Sequence, residues 1–310
     1  IDVGDYSILE LFDGPTLAFK DFGARFMGRL MGYFLQGNNT EVNILVATSG
    51  DTGSAVAHGF LNVKGINVTI LYPKGKVSNI QEKQFTTLGA NITSIEIDGT
   101  FDDCQALVKQ AFLDQELNEK LTLSSANSIN IARLIPQTFY YFYAYKQVAN
   151  NKLPFYFSVP SGNFGNLTAG LFAKKMGLPI ATLIASNNAN NIFTQYIETG
   201  IFEPKRSIQT LSNAMDVGNP SNFARMMDYY DNNIEMLRED IDAYAFTDEQ
   251  TSECIKDVAD KYNYILCPHS AVGYLGLDKF VNDNELDPTY INGIVLSTAH
   301  PVKFGEVVEP

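Results

Sequence analysis

The sequence predicts an α/β protein of two lobes, each with a mainly parallel sheet covered by helices. Three observations lead there. Short apolar runs alternate with helix-length segments from residue 42 to residue 125, and the alternation resumes at residue 155. Alternation of this kind means parallel strands joined by crossover helices on both faces. The third observation is size: 310 residues at 45% hydrophobic content are more than one core usually organises.

The elements follow in order. In "GPTLAFKDFGARF" (14–26), Lys20 sits inside an apolar run at a loop-to-helix corner. Behind it Phe22, Phe26, Leu30 and Phe34 recur every four residues, which predicts an amphipathic helix with those side chains on its buried face. Asp21 suits the positive end of that helix. "VNILVA" (42–47) reads as a buried strand and 54–61 as a helix. Residues 68–73 read as a strand, 77–89 as a helix closed by glycine, and 91–97 as a strand. Residues 100–117 form a helix with Thr100 as N-cap and Asp103 at the capping-box position, and 120–125 a fourth strand. A long aromatic helix (136–149) follows. Then come a strand (155–160), a helix (166–177) and a strand (180–187). Thr247 and Gln250 fit a capping box opening a helix over 247–262, and 291–299 is a last strand. The stretch 200–240, with its Asn, Gly and Pro clusters, reads as irregular. The lobes divide as 40–135, the smaller, and 1–39 with 136–310, the larger.

Charge and composition narrow the function. Against 35 acidic residues stand 22 Lys and Arg, a net charge of −13. Such a surface repels nucleic acid and anionic membrane, so anionic ligands need local pockets. Cys104, Cys254 and Cys267 show no paired spacing, which suggests reduced thiols in the cytoplasm. His58, His269 and His300 show no metal-ligand spacing. No apolar stretch reaches membrane-spanning length and no basic-apolar leader occurs. The chain begins at Ile1 with the Lys20 motif close behind, which leads us to expect a longer N-terminus in the natural protein.

Four loops could carry chemistry. "SVPSGNFGNLTAG" (158–170) passes from strand to helix through a Gly/Asn/Ser loop. Gly162 and Gly165 allow close backbone approach, and the helix start directs N–H groups at one point, as a phosphate site requires. The plain alternative is a tight strand-to-helix turn. "ATSGDTGSA" (47–55) offers Thr48, Ser49, Thr52 and backbone to a carboxylate, or is simply a capped helix start. "SSANSINIAR" (124–133) puts Ser128, Asn130 and Arg133 after the fourth strand, either as a polar hinge or as an oxyanion site with a guanidinium. Thr298, in "LSTAHPVKF" (296–304), lies at a strand's carboxyl end, where open α/β sheets bind ligands. "PKGKVS" (73–78) lacks the spacing of a P-loop, and neither GxGxxG nor GxSxG occurs.

A lone lysine such as Lys20 ordinarily lays its stem on apolar surface. Combined with a phosphate loop and a second anion loop, it reads instead as a nucleophile towards a phosphorylated aldehyde, pyridoxal 5′-phosphate.

"GPTLAFKDFGARFM", "VATSGDTGSA", "VPSGNFGN", "NAMDVGNPSNFAR" and "TAHPVKF", in that order and across nearly the whole chain, resemble the threonine synthase family. These are fold type II pyridoxal phosphate enzymes with a tryptophan synthase β-like fold and an active site in the cleft between lobes. The resemblance implies that Lys20 forms the Schiff base with the cofactor. It implies that Gly162, Asn163, Phe164, Gly165 and Asn166 hold the cofactor phosphate, that Thr298 bonds the pyridine nitrogen and that Asp51 lies beside the ring. Thr48, Ser49, Gly50 and Thr52 would receive the substrate carboxylate. Ser128 and Arg133, with Asn163, would bind the substrate phosphate. The reaction implied converts O-phosphohomoserine and water to threonine and phosphate, in a cytoplasmic monomer or homodimer. Asp13 stands where the family has His, and Ser270 where it has Gly. Rival readings are a phospho-lyase giving 2-oxobutyrate from the same substrate, a non-catalytic phosphate-binding module, and a nicotinamide-binding oxidoreductase. The last is disfavoured by the missing dinucleotide fingerprint.

Overall fold

The computed structural model describes residues 1–37, 40–148 and 152–308. The chain forms two compact units, Gly14–Pro136 and Ile1–Asp13 with Gln137–Pro310. Residues 14–37 belong to the smaller unit, not to the larger one in which a division of 40–135 from 1–39 and 136–310 places them. The reason lies in helix α1 (Lys20–Phe34), which packs on α2 (Asp51–Phe60) of that unit.

The smaller unit holds four parallel strands: β3 (Val42–Ala47), β4 (Ile66–Pro73), β5 (Ile92–Ile97) and β6 (Thr122–Ser125), in the order β5-β4-β3-β6. Its core gathers Ile44, Val46, Val68 and Ile70 from the sheet with Val56, Phe60, Phe85 and Met27 from the helices. Helix α3 (Asn79–Thr86) starts on a capping box of Ser78 and Gln81. The predicted helix 100–117 is two helices, α4 (Phe101–Leu113) and α5 (Gln115–Lys120). Thr100 and Asp103 form the expected box. Asp114 breaks the helix and caps the second one by accepting from the Leu117 N–H at 2.9 Å. A short helix α6 (Ile131–Leu134) closes the unit.

The expected face of α1 is not the buried one. Phe34 is 66% exposed and Phe22 and Phe26 are also exposed, while Gly23, Ala24, Met27 and Gly28 are buried. A Cβ on Gly28 would lie 2.3 Å from the Gly59 carbonyl oxygen, and one on Gly59 2.8 Å from the Ala24 carbonyl carbon. The helices thus meet backbone to backbone, which only glycines permit. Period-four counting found the wrong stripe because it weighs side-chain size, and here closeness of approach decides.

The larger unit holds six strands, β1 (Asp2–Val3), β2 (Tyr6–Glu10), β7 (Phe155–Pro160), β8 (Ile180–Asn187), β9 (Ile241–Ala245) and β10 (Asn292–Ser297), in the order β1-β2-β10-β7-β8-β9. All pairs are parallel except β1-β2. Helices α7 (Thr138–Val148), α8 (Gly165–Lys175), α9 (Ile192–Thr199), α12 (Asp248–Tyr262), α13 (Pro268–Asp283) and α14 (Gly305–Val308) surround it. The predicted end of α7 at residue 149 lies outside the described residues. The Thr247–Gln250 box is present. The stretch read as irregular carries α10 (Phe223–Tyr229) and α11 (Ile234–Asp240). Both are seven residues long, too short to print a helical period. No helix among the described residues is long and apolar enough to cross a membrane.

We expect Gly28→Ala to lower the denaturation midpoint, by about 1–3 kcal/mol of stability, because its methyl must push backbone apart. Gly32→Ala, whose methyl meets only the Val63 side chain at 3.1 Å, should cost less. Equal effects in urea titrations would remove the backbone contact as the cause.

Candidate active site

In the larger unit the candidate residues gather at the carboxyl ends of adjacent parallel strands. β7 runs into the loop Ser161–Phe164 and helix α8, and neighbouring β10 ends one residue before Thr298. Thr298 is buried. No carboxylate lies between Ser161 and Asn166. Gly165 and Asn166 open the eleven-residue helix, where first-turn N–H groups lack intrahelical acceptors and the helix end is positive. These features suit a phosphate dianion.

The loop is held from within. Asn166 Nδ2 donates to the Pro160 carbonyl at 2.9 Å, and its Oδ1 accepts from Ser161 Oγ at 2.5 Å and the Leu167 N–H at 3.1 Å. Its side chain is therefore turned inward, and what Asn166 can present to a ligand is backbone. Phe164 adopts φ +58°, an unfavourable region for an aromatic residue. Its ring, buried against Phe193 at 4.7 Å, holds that conformation.

The loop is also held by a segment that sequence reading left unassigned. A Cβ on Gly162 would fall 2.6 Å from Met215 Cα. Asn163 Oδ1 accepts from the Ser221 N–H at 2.6 Å and Ser221 Oγ at 3.0 Å, and its carbonyl accepts from Asn222 Nδ2 at 2.9 Å. The turn at 213–215 is anchored by buried His269, whose Nε2 accepts from the Ala214 N–H at 3.1 Å. Accepting there places a neutral ring's proton on Nδ1. Asp216 takes the Thr210 N–H and hydroxyl at 3.0 and 2.7 Å and the Asn188 and Asn190 amides at 2.9 and 3.1 Å. Burial pushes its carboxyl up to about 7. The "NAMDVGNPSN" wording was the available signal, but nothing local in it says which loop it touches.

In the smaller unit Lys20 is the first residue of α1. Leu17 turns the corner with φ +55°. Asp21, 3% exposed, accepts from the Thr16 N–H at 2.9 Å and hydroxyl at 2.8 Å. Gly14 leaves the space, since a Cβ there would lie 2.3 Å from Asp21 Oδ2. Lys20 Nζ lies 5.8 Å from the Phe19 ring centroid. The lysine thus stands on a corner closed by its neighbour's carboxylate.

Arg133 differs from expectation. It is 2% exposed, and its guanidinium donates to the Ala126 carbonyl. Burial lowers its pKa to about 10, opposed by the charge of Asp21. A Cβ on Gly23 would meet the Arg133 carbonyl oxygen at 2.4 Å, so the arginine lies against the first turn of α1. Ser128 is half-buried on the same loop. Asn130 caps α6, accepting from the Ala132 N–H at 3.0 Å.

Thr48 also differs. It is fully buried, and its hydroxyl accepts from the Gly50 and Gly53 N–H groups at 2.9 and 2.7 Å. It shapes the loop, while Ser49 and Thr52 are half-buried. Gly50 has φ +133°. Asp51, buried, accepts from Gln81 Nε2 at 2.8 Å. Ser270 is buried behind Thr298's strand, its hydroxyl 2.8 Å from Ser297 Oγ and 3.1 Å from Cys267 Sγ.

Residues 8–297 match the family model of pyridoxal-phosphate dependent enzymes. The chain is 49% identical to threonine synthase of Serratia marcescens over 308 residues, covering 98% of this chain and 69% of that protein. The crystal structure of threonine synthase from Escherichia coli superposes with a TM-score of 0.92 at 48% identity, covering all of this chain and 70% of that one. A pyridoxal-phosphate-bound threonine synthase from Brucella melitensis superposes with a TM-score of 0.89 at 36% identity, covering all of this chain and 71% of that one.

For Asp216 the pH dependence has a definite sign. Its folded pKa, about 7, lies above the ordinary 3.8, so the folded state binds the proton more tightly. Its contribution is full below about pH 4 and is lost as pH rises to about 7. Stability measured against pH should therefore fall less steeply over that window in Asp216→Asn than in the parent. Identical slopes would remove Asp216 as the titrating group.

Proposed function

The chain belongs to the pyridoxal-phosphate-dependent enzymes and, within them, to the threonine synthases, and we propose that its substrate is O-phosphohomoserine, converted with water to threonine and phosphate. The observation that carries the reading is the pairing, at the ends of adjacent strands β7 and β10, of a carboxylate-free glycine loop opening α8 with the buried hydroxyl of Thr298.

Pyridoxal phosphate, when bound, supplies an aldehyde for an amino group and an electron sink for charge developing beside it. The backbone of Gly162, Asn163, Phe164, Gly165 and Asn166 would bind its phosphate, Thr298 would meet the ring nitrogen, Asp51 would lie beside the ring and Lys20 would hold the aldehyde. Lys20 is also the base for the proton on substrate Cα. Ser49, Gly50 and Thr52 orient the substrate carboxylate. Ser128 and Arg133 serve the substrate phosphate, on which charge grows as the Cγ–O bond breaks. A guanidinium has five N–H donors, so the bond to Ala126 does not by itself exhaust Arg133. Phosphate leaves from Cγ and water adds at Cβ. The three cysteines are free and buried, which supports a cytoplasmic enzyme, acting as monomer or homodimer.

Lys20→Ala should fold, bind cofactor weakly and release no phosphate from O-phosphohomoserine. Borohydride reduction of the parent should tag Lys20. A tag on another lysine, such as buried Lys303, would overturn the assignment. Product analysis then separates threonine from 2-oxobutyrate, the outcome expected of a phospho-lyase.

Arg133→Lys should reduce kcat/KM for O-phosphohomoserine by roughly 10- to 100-fold, about 1.5–3 kcal/mol, the value of a charge-assisted hydrogen bond. Cofactor affinity should hold. Collapse of cofactor affinity with normal turnover of the loaded fraction would move Arg133 to the cofactor.

A further inference from the structure

Gln81 is the third residue of helix α3 and a member of its capping box. In a capping box the third residue's side chain returns to the N-cap N–H, and one of its polar atoms suffices. Here the side chain does more. Its Oε1 accepts from the Ser78 N–H at 3.2 Å, and its Nε2 donates to Asp51 Oδ1 at 2.8 Å. The residue is fully buried. Ser54 Oγ donates to its carbonyl at 3.2 Å and to that of Gly50 at 3.1 Å, tying α3 to the start of α2.

The amide can stand only one way. A flip would set Oε1 against a carboxylate and Nε2 against an N–H, losing both bonds. The Ser78 N–H thus decides that Asp51 meets a donor. Gly50 is part of the same device: a Cβ there would lie 2.6 Å from Gln81 Cδ and Oε1. The strained φ of Gly50 and the absence of its side chain make room for the amide beside Asp51.

We propose that Gln81 is a positioning residue for the reaction, holding the Asp51 side chain in one orientation by donating to Oδ1. The inference rests on the reading that Asp51 lies beside the cofactor ring. Its side chain reaches towards the site by the bond to Asp51, so Gln81 acts on the ring through Asp51.

Gln81→Glu is the discriminating variant. Glutamate serves a capping box as well as glutamine does, so the cap survives and a purely structural role predicts an altered stability but an unmoved cofactor spectrum. If Gln81 governs Asp51, the variant instead sets two carboxylates face to face, and one must take up a proton. In the holoenzyme we expect the pH profile of the bound cofactor's visible absorbance to move by at least one unit and kcat to fall at least tenfold. Urea stability of the cofactor-free protein at pH 5, where the pair can share a proton, should stay close to the parent's. An unmoved absorbance profile, or a loss of stability with an unmoved profile, overturns the proposal. Should Gln81→Glu not fold, Gln81→Met removes the donor at similar length, and the same titration decides. Asp51→Asn separates the two claims. If it leaves the spectrum untouched, Asp51 is not beside the ring. If it alters the spectrum while Gln81→Glu does not, only the role of Gln81 fails.

Discussion

The contact between α1 and α2 is the constraint on which the smaller unit's chemistry depends. The first residue of α1 is Lys20 and the first residue of α2 is Asp51. The helices touch through Ala24, Gly28 and Gly59, with backbone carbonyls in van der Waals range of missing side chains. At that separation neither helix can slide or rotate without a clash, because packed interiors yield little. The packing therefore fixes the relative placement of the two helix starts that carry Lys20 and Asp51. A larger residue in the stripe would shift both groups together with the helices that carry them.

Around that constraint the polar side chains nearest the chemistry are largely engaged with their own loops. Thr48 bonds two N–H groups of its loop, Asn166 ties the phosphate loop to the end of β7, and Asp21 closes the corner before Lys20. Such bonds yield about 1 kcal/mol each, but losing one in a buried place costs more. Their larger effect is geometric. Loops whose polar atoms are satisfied internally present backbone donors in fixed directions, which is what electrostatic stabilisation of a growing charge requires.

In the larger unit the same end is reached by a different route. The phosphate loop does not hold itself alone. The segment 210–222 lies on it, with Met215 backbone against Gly162 and Ser221 on Asn163. That segment in turn hangs on His269 and on the Asp216 network. A buried carboxyl with four donors is favoured in its charged form by the hydrogen bonds and disfavoured by burial, and burial wins by raising its pKa. The loop's anchorage is thereby sensitive to protonation of a group outside the loop.

Sequence by itself determined whatever is set within a few residues. Strands β3, β7 and β8 begin and end where apolar runs do. The boxes at Thr100 and Thr247 form because cap and third residue are neighbours on the chain. The glycine loop before α8 and the lysine at the corner before α1 are legible for the same reason. Tertiary structure decided the rest. Which face of α1 is buried depends on Gly28 and on Gly59 of α2, and the placement of 14–37 in the smaller unit follows from that contact. Arg133 reads as an exposed guanidinium until β6, α6 and the first turn of α1 close over it. Gln81 meets its own cap locally, but its second partner, Asp51, comes from the start of α2. In each case the partner is remote in sequence, and hydrogen-bond direction and close packing are properties of the pair.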